Sequence, residues 1–513
     1  MKTVLLFALL FVTTTSLAAI RPADGLWNTT DDPEIGSGLM FATQGDITLV
    51  SVFTYDEEGK NVWYIGSGQV DENGVLEVEL VTTTNGSYLT QTDPSAAELD
   101  GTSHQMVVEF TGSQIGTLSI DESDSKIITA SHYGVGAIYD HPILTGVWVL
   151  GSQETGESYI LDLEPYPYIN PPIAVIRIVS SYKSNHYSTN GWAINCLNSD
   201  VCFVNRGNSG SGQMKISLND LGNQRMTLYQ NETEPFEKYE AFRLNEDRRL
   251  LPADGYWRTH DDPEIGSGLV MRTQGDYTVV LIYSYNDEGQ ATWQIASGQF
   301  DENGLMEADL YTPSGGSPVN SVDVTTGQVA EPRNIAIQLQ GTNLGTVSID
   351  AGPEKSIQAF VYGLEVFETH HKTIGGESYQ FPDQKGSWVI VDEQHQASEM
   401  VKLRPFDLNA YQSPPDPRLY DARQYEDDSS NDDLSLKFFC TKVLSVGSMD
   451  FMVKPYCYGS LFVRPSYGPL KLYYEDIGAA EFRFYTSETF NGLDVTHINR
   501  DSNMFYLFKL SND

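Results

Sequence analysis

Two copies of one acidic, glycine-rich segment hold the most reactive residue pattern in this chain. Asp31, Asp32 and Glu34 stand in DDPEIGSG, and Asp261, Asp262 and Glu264 stand in the identical segment further on. Carboxylates clustered in such a loop can offer oxygen ligands to a hard cation such as calcium, or to another ligand. The spacing is not that of an EF-hand, and Pro33, Gly36 and Gly38 suffice to build a turn. The competing reading is therefore a purely structural loop. The DENG segments at 71–74 and 301–304 read as hairpin turns around Asn-Gly, with too few converging oxygens for an ion.

Other residues admit the same two kinds of reading. Trp27 with Trp63, and Trp257 with Trp293, would either line a sugar-stacking face or fill module cores. Trp63 lies in an alternating stretch, which favours a core pair inside one module. Glu368 and His370, beside His371, would share one strand face and suit a metal. The matching stretch of the first copy, 137–141, lacks that histidine pair, so a surface cluster is favoured. Ser209 and Ser211 lie in a glycine-rich stretch, and Ser131 precedes His132, but order and spacing complete no triad and no G-x-S-x-G elbow occurs. Phosphate-loop, dinucleotide and zinc-protease motifs are absent. With 70 acidic residues, no single carboxylate pair stands out for glycoside hydrolysis.

The chain has four cysteines, and their even number in an exported protein points to disulfides. Proximity pairs Cys196 with Cys202 and Cys440 with Cys457. Neither spacing is a zinc spacing.

The elements that must position these residues come from an internal duplication. PADGLWNTTDDPEIGSG at 22–38 returns as PADGYWRTHDDPEIGSG at 252–268, and the correspondence runs on through TQGD, Tyr55 and Tyr285, Gly59 and Gly289, Trp63 and Trp293, and SGQ-x-DENG. GTLSID at 116–121 answers GTVSID at 345–350. A more diverged pair follows, opening at Gly146-Val147-Trp148 and Gly386-Ser387-Trp388 and closing on Phe242-Arg243-Leu244 and Phe508-Lys509-Leu510. The order is A-B-A′-B′, with modules at 20–140, 141–248, 250–380 and 381–513. All four open on G-x-W, which reads as a first strand whose Trp plugs the core after a glycine with an unusual backbone angle.

Alternating, β-branched and aromatic runs fill the modules. Ile47 to Tyr55, a turn, Asn61 to Ile65, and Leu76 to Leu80 are strands, and no stretch keeps a helical period. The expected fold class is all-β, as tandem antiparallel barrels or sandwiches. Pro415 to Asp433, rich in Asp, Ser and Pro, reads as a surface insertion in B′.

The order G-x-W, Pro33, Gly36 and Gly38, an aromatic strand ending at Tyr55 and Gly59, then Trp63, resembles a module repeated in many exported bacterial proteins. Residues 25–67 and 255–297 carry the resemblance. That module has no settled activity, so it implies location and fold style. G-x-W followed by an antiparallel meander also resembles the calycin group, the lipocalin and avidin barrels. This implies a closed up-and-down barrel with an apolar ligand cavity.

Charge and the first residues set the class of function. The chain carries 31 Lys+Arg against 70 Asp+Glu, a formal charge of −39. Such a surface repels nucleic acid and anionic lipid, since binding phosphates requires cations. It suits solubility at high ionic strength. Lys2, the apolar run Val4 to Val12, and small residues at Ala18 and Ala19 form a secretory signal with cleavage after Ala18 or Ala19. No later stretch is long and apolar enough for a transmembrane helix. The expectation is an exported, non-catalytic protein whose β modules bind an extracellular or surface partner, polymer or small ligand. The alternatives are a secreted carbohydrate-active hydrolase and a purely structural matrix component.

Overall fold

The computed structural model describes residues 20–133 and 250–368, except 31–35, 93, 260–265, 323–324 and 365, and elsewhere mainly the strands of the second and fourth modules. Described residues form strands, turns and bends, with no helix. Each of the four modules is a closed antiparallel barrel whose eight strands follow chain order. The architecture is therefore a barrel rather than a sandwich.

In barrel A the strands are Gly25–Thr29, Gly38–Gln44, Ile47–Tyr55, Asn61–Gly68, Val75–Thr84, Glu98–Gly112, Ile115–Ile120 and Lys126–Ala130. The last returns to the first, with Trp27 opposite Ala130. Barrel A′ repeats this from Gly255–Thr259 to Lys355–Ala359, closing with Trp257 opposite Ala359. Barrels B and B′ close in the same way on the strands noted in the sequence, with Trp148 opposite Arg243 and Trp388 opposite Lys509.

The G-x-W signature is explained by the backbone. Gly25, Gly146, Gly255 and Gly386 have φ between +118° and +135°, a region closed to residues with a Cβ. The Trp two residues on is 0% exposed in all four barrels. In barrel A, Trp27 meets Phe41 and Phe110 edge-to-face at 5.4 and 5.6 Å, so an aromatic cluster occupies the interior. An eight-stranded barrel has an interior that side chains can just fill.

Each Trp indole also ties the chain entry: Trp27 Nε1 donates to Ala23 O, and Trp257 Nε1 to Ala253 O. Asp24 Oδ1 accepts from Thr43 N, as Asp254 Oδ1 does from Thr273 N, which accounts for the paired PADG and TQGD segments. The DENG segments are turns as expected. Asp71 Oδ1 accepts from Asn73 N and Val75 N, and Asp301 Oδ1 from Asn303 N and Leu305 N. These backbone donors hold both carboxyls below their ordinary range.

Candidate functional site

The seam between barrels A and A′ holds Trp63 and Trp293, two of the residues singled out by their spacing, and is bordered by Ser131. It is built from equivalent strands, Ile47–Tyr55 and Asn61–Gly68 on one side, Tyr277–Tyr285 and Ala291–Gly298 on the other. Strand side chains alternate between faces. Val50 and Val52 point into barrel A, while Phe53 and Tyr55 point out into a second cluster shared with A′. That shared cluster contains Met40, Trp63, Tyr256, Leu281, Tyr285 and Trp293.

The Trp63 and Trp293 positions correct the expectation of a core pair within one module. Both are 3% exposed, but on the outer walls of their barrels. Trp63 packs on Tyr283 at 5.4 Å and donates Nε1–H to Ser284 O. Trp293 packs on Phe53 at 5.8 Å and donates to Thr54 O. Each thus seals the partner barrel, while Trp27 and Trp257 fill the interiors.

Hydrogen bonds cross the seam in matched pairs. Tyr133 OH donates to Arg272 O, and Tyr362 OH to Ala42 O. Gln274 Nε2 donates to Ser131 O, and Gln44 Nε2 to Phe360 O. Ser131 and His132 therefore lie beside the seam, where the Ser131 carbonyl serves as an acceptor for the other barrel. Ser209 and Ser211 lie outside the described residues.

The loops after Val75–Thr84 and after Leu305–Tyr311 are exchanged. Leu89, 1% exposed, belongs to the core of A′ with Trp257 and Met306. Val319, 2% exposed, belongs to the core of A with Trp27 and Phe110. The exchanged backbone is received by the same groups twice: Leu89 N donates to Ser284 Oγ and Val319 N to Thr54 Oγ1. Ser267 Oγ donates to Ser87 O, and Ser37 Oγ to Ser317 O. A Cβ at Gly86 would overlap the Tyr285 ring, and one at Gly316 the Tyr55 ring, so close approach dictates glycine at both.

Ser37 and Ser267 are the described end of the acidic DDPEIGSG segments. Asp31, Asp32, Glu34, Asp261, Asp262 and Glu264 lie outside the described residues, as do His370 and His371. Among the described residues no group of three or more His, Cys, Asp or Glu is placed to hold a metal ion. The seam opens into a cleft of about 590 Å³ lined by Asp56, Glu57, Glu58, Gly315, Ser317 and Asn320, with other residues of the exchanged loop. Asp56 Oδ1 is committed to the turn, accepting from Glu58 N and Lys60 N. The loop exchange was missed from sequence; its one signal is a short Gly-Ser-x-apolar stretch that recurs at equivalent places, Gly86 to Leu89 and Gly316 to Val319.

The seam is rich in tyrosine, and burial raises the hydroxyl pKa of Tyr133, Tyr256, Tyr283, Tyr285 and Tyr362, and that of Tyr55 to about 12. Unfolding lets these groups ionise near pH 10. Their contribution to stability is complete below pH 10 and is lost as pH rises from 10 toward 12, at up to about 1.4 kcal/mol per group and pH unit. Equilibrium unfolding followed by Trp fluorescence should show stability flat from pH 8 to 9.5 and falling steeply above 10. A flat profile to pH 12 would contradict the burial of these hydroxyls.

Of the four cysteines, Cys196 lies outside the described residues, and Cys202 sits opposite Ile216. Cys440 on Leu434–Thr441 sits directly opposite Cys457 on Tyr456–Val463. Opposed antiparallel residues have Cα atoms about 4.5–5.5 Å apart, inside the range a disulfide spans. Peptide mapping of the non-reduced protein should recover a Cys440–Cys457 linked peptide; alkylation of both thiols without reduction would refute it.

Among the described residues no helix is long and apolar enough to cross a membrane. Compared with known proteins, the chain matches no family profile and no curated sequence.

Proposed function

We propose that this chain is an exported, non-catalytic binding protein that recognises its ligand on the outer surface of fused barrels. One observation carries the reading. The interiors of A and A′ are packed by their own aromatic and aliphatic side chains and plugged by each other's loops, which moves recognition from the barrel axis to the seam. The apolar ligand cavity implied by calycin-like barrels is occupied in these two modules. The seam cleft carries Asp56, Glu57 and Glu58 beside Ser317, Asn320 and Ser321, a lining suited to a cationic or hydroxyl-rich polymer. Presenting related surfaces on repeated modules favours a repetitive partner, because linked weak sites gain avidity.

The test is a binding and hydrolysis screen on the mature protein with neutral and amino polysaccharides. Saturable binding without release of reducing ends, weakened at least tenfold by Glu57→Lys with Glu58→Lys, is expected. Sugar release would favour the hydrolase reading. Binding to no polymer in the panel would favour a structural matrix component.

A further inference from the structure

We infer that the A–A′ seam is an exchangeable interface, which a second copy of this chain can complete in place of the chain's own other half. The contacts across the seam are isologous in kind: an element of A touches an element of A′, and the equivalent of the second touches the equivalent of the first. Trp63 to Ser284 answers Trp293 to Thr54, and Leu89 to Ser284 answers Val319 to Thr54. Backbone hydrogen bonds follow the same rule, with Asn85 N donating to Gly289 O and Gly315 N to Gly59 O. The equivalence extends to the second module pair, where Gly146–Ser152 lies beside Gly386–Asp392 and Glu157–Pro165 beside Ser398–Pro405.

Every bond described across the seam is non-covalent, and the two halves are joined in sequence through the segment 244–254 alone. A′ of another copy offers A the same walls, the same acceptors and the same Val319 plug. Within one chain the halves meet at an effective concentration on the order of millimolar, so the closed monomer prevails in dilute solution. When folding chains approach that concentration, A of one copy meets A′ of the next, and reciprocal exchange gives a dimer with two complete seams. The exchanged loops, which must thread into the other barrel's core, then hold the dimer together on dilution.

Equal amounts of unlabelled and nitrogen-15-labelled full-length chain are unfolded together and refolded at micromolar and near-millimolar concentration. Lys60 feels the charge of Glu288 across the seam, and its neighbour Asn61 donates to Trp293 O, so an amine-reactive photo-crosslinker with a spacer, attached to Lys60, can reach the Glu288 carboxylate. The near-millimolar sample should yield a two-chain species in which about half of the Lys60–Glu288 peptides are isotopically mixed, while the monomer yields none. Two differently tagged copies exported from one cell and captured through one tag give the same readout without refolding. Monomer under both conditions, or dimers containing only like-isotope Lys60–Glu288 peptides, would overturn the inference.

Discussion

Trp63→Ala and Trp293→Ala should each lower the unfolding free energy by about 3–5 kcal/mol, the range for removing a buried Trp. The loss is expected although neither residue lies in a barrel interior. Each indole is 3% exposed, packs on aromatic rings of the other barrel, and satisfies a carbonyl there. Removal leaves a cavity between barrels and strips Ser284 O or Thr54 O of its indole donor, two penalties acting together. Denaturant unfolding of each variant, beside polysaccharide binding, distinguishes this from a ligand-stacking role. Unchanged stability with abolished binding would make the indoles a recognition platform instead.

Leu89→Ala should loosen barrel A′, and Val319→Ala barrel A, each reversing the barrel that the residue belongs to in sequence. Leu89 contacts the cluster of Trp257, Val280 and Met306, and Val319 that of Trp27, Val52 and Phe110. Truncating a buried Leu typically costs about 2–5 kcal/mol, and a Val somewhat less. Hydrogen exchange read by mass spectrometry should show faster exchange on Tyr277–Tyr285 and Leu305–Tyr311 in Leu89→Ala. In Val319→Ala the same change should appear on Ile47–Tyr55 and Val75–Thr84. Accelerated exchange confined to the mutated residue's own barrel would show that the loops do not plug across the seam.

What could be read from sequence was whatever repeats or alternates. The duplication set the module order, the G-x-W glycines announced the opening strand, and DENG marked its hairpins. The seam was invisible because its signal mimics an ordinary core. Ile47 to Tyr55 is apolar on both faces, which fits a strand covered by its own module as well as one covered by another. Trp63 stands in an alternating stretch, as a core residue would, so burial is the right inference drawn to the wrong partner. The exchanged loops were harder still, since NGSYLTQ and GGSPVNS share little beyond Gly86 with Gly316 and Ser87 with Ser317. The acidic stretch of DDPEIGSG drew attention through its charges, whereas its serines are the part that the described fold explains.

One broken pair within the seam shows what covalent linkage permits. Tyr285 OH is bonded to Thr83 Oγ1 at 2.6 Å, but the position equivalent to Thr83 in the second copy is Pro313. Among the described residues the buried Tyr55 hydroxyl has no hydrogen-bond partner. In an assembly of identical subunits such a substitution would strike both sides of the axis at once. Here it strikes one side, and the intact side carries the contact. Joining the halves in one polypeptide turns each symmetric bond into two independently mutable sites, so one face of the pair can drift toward new chemistry while its twin keeps the architecture standing.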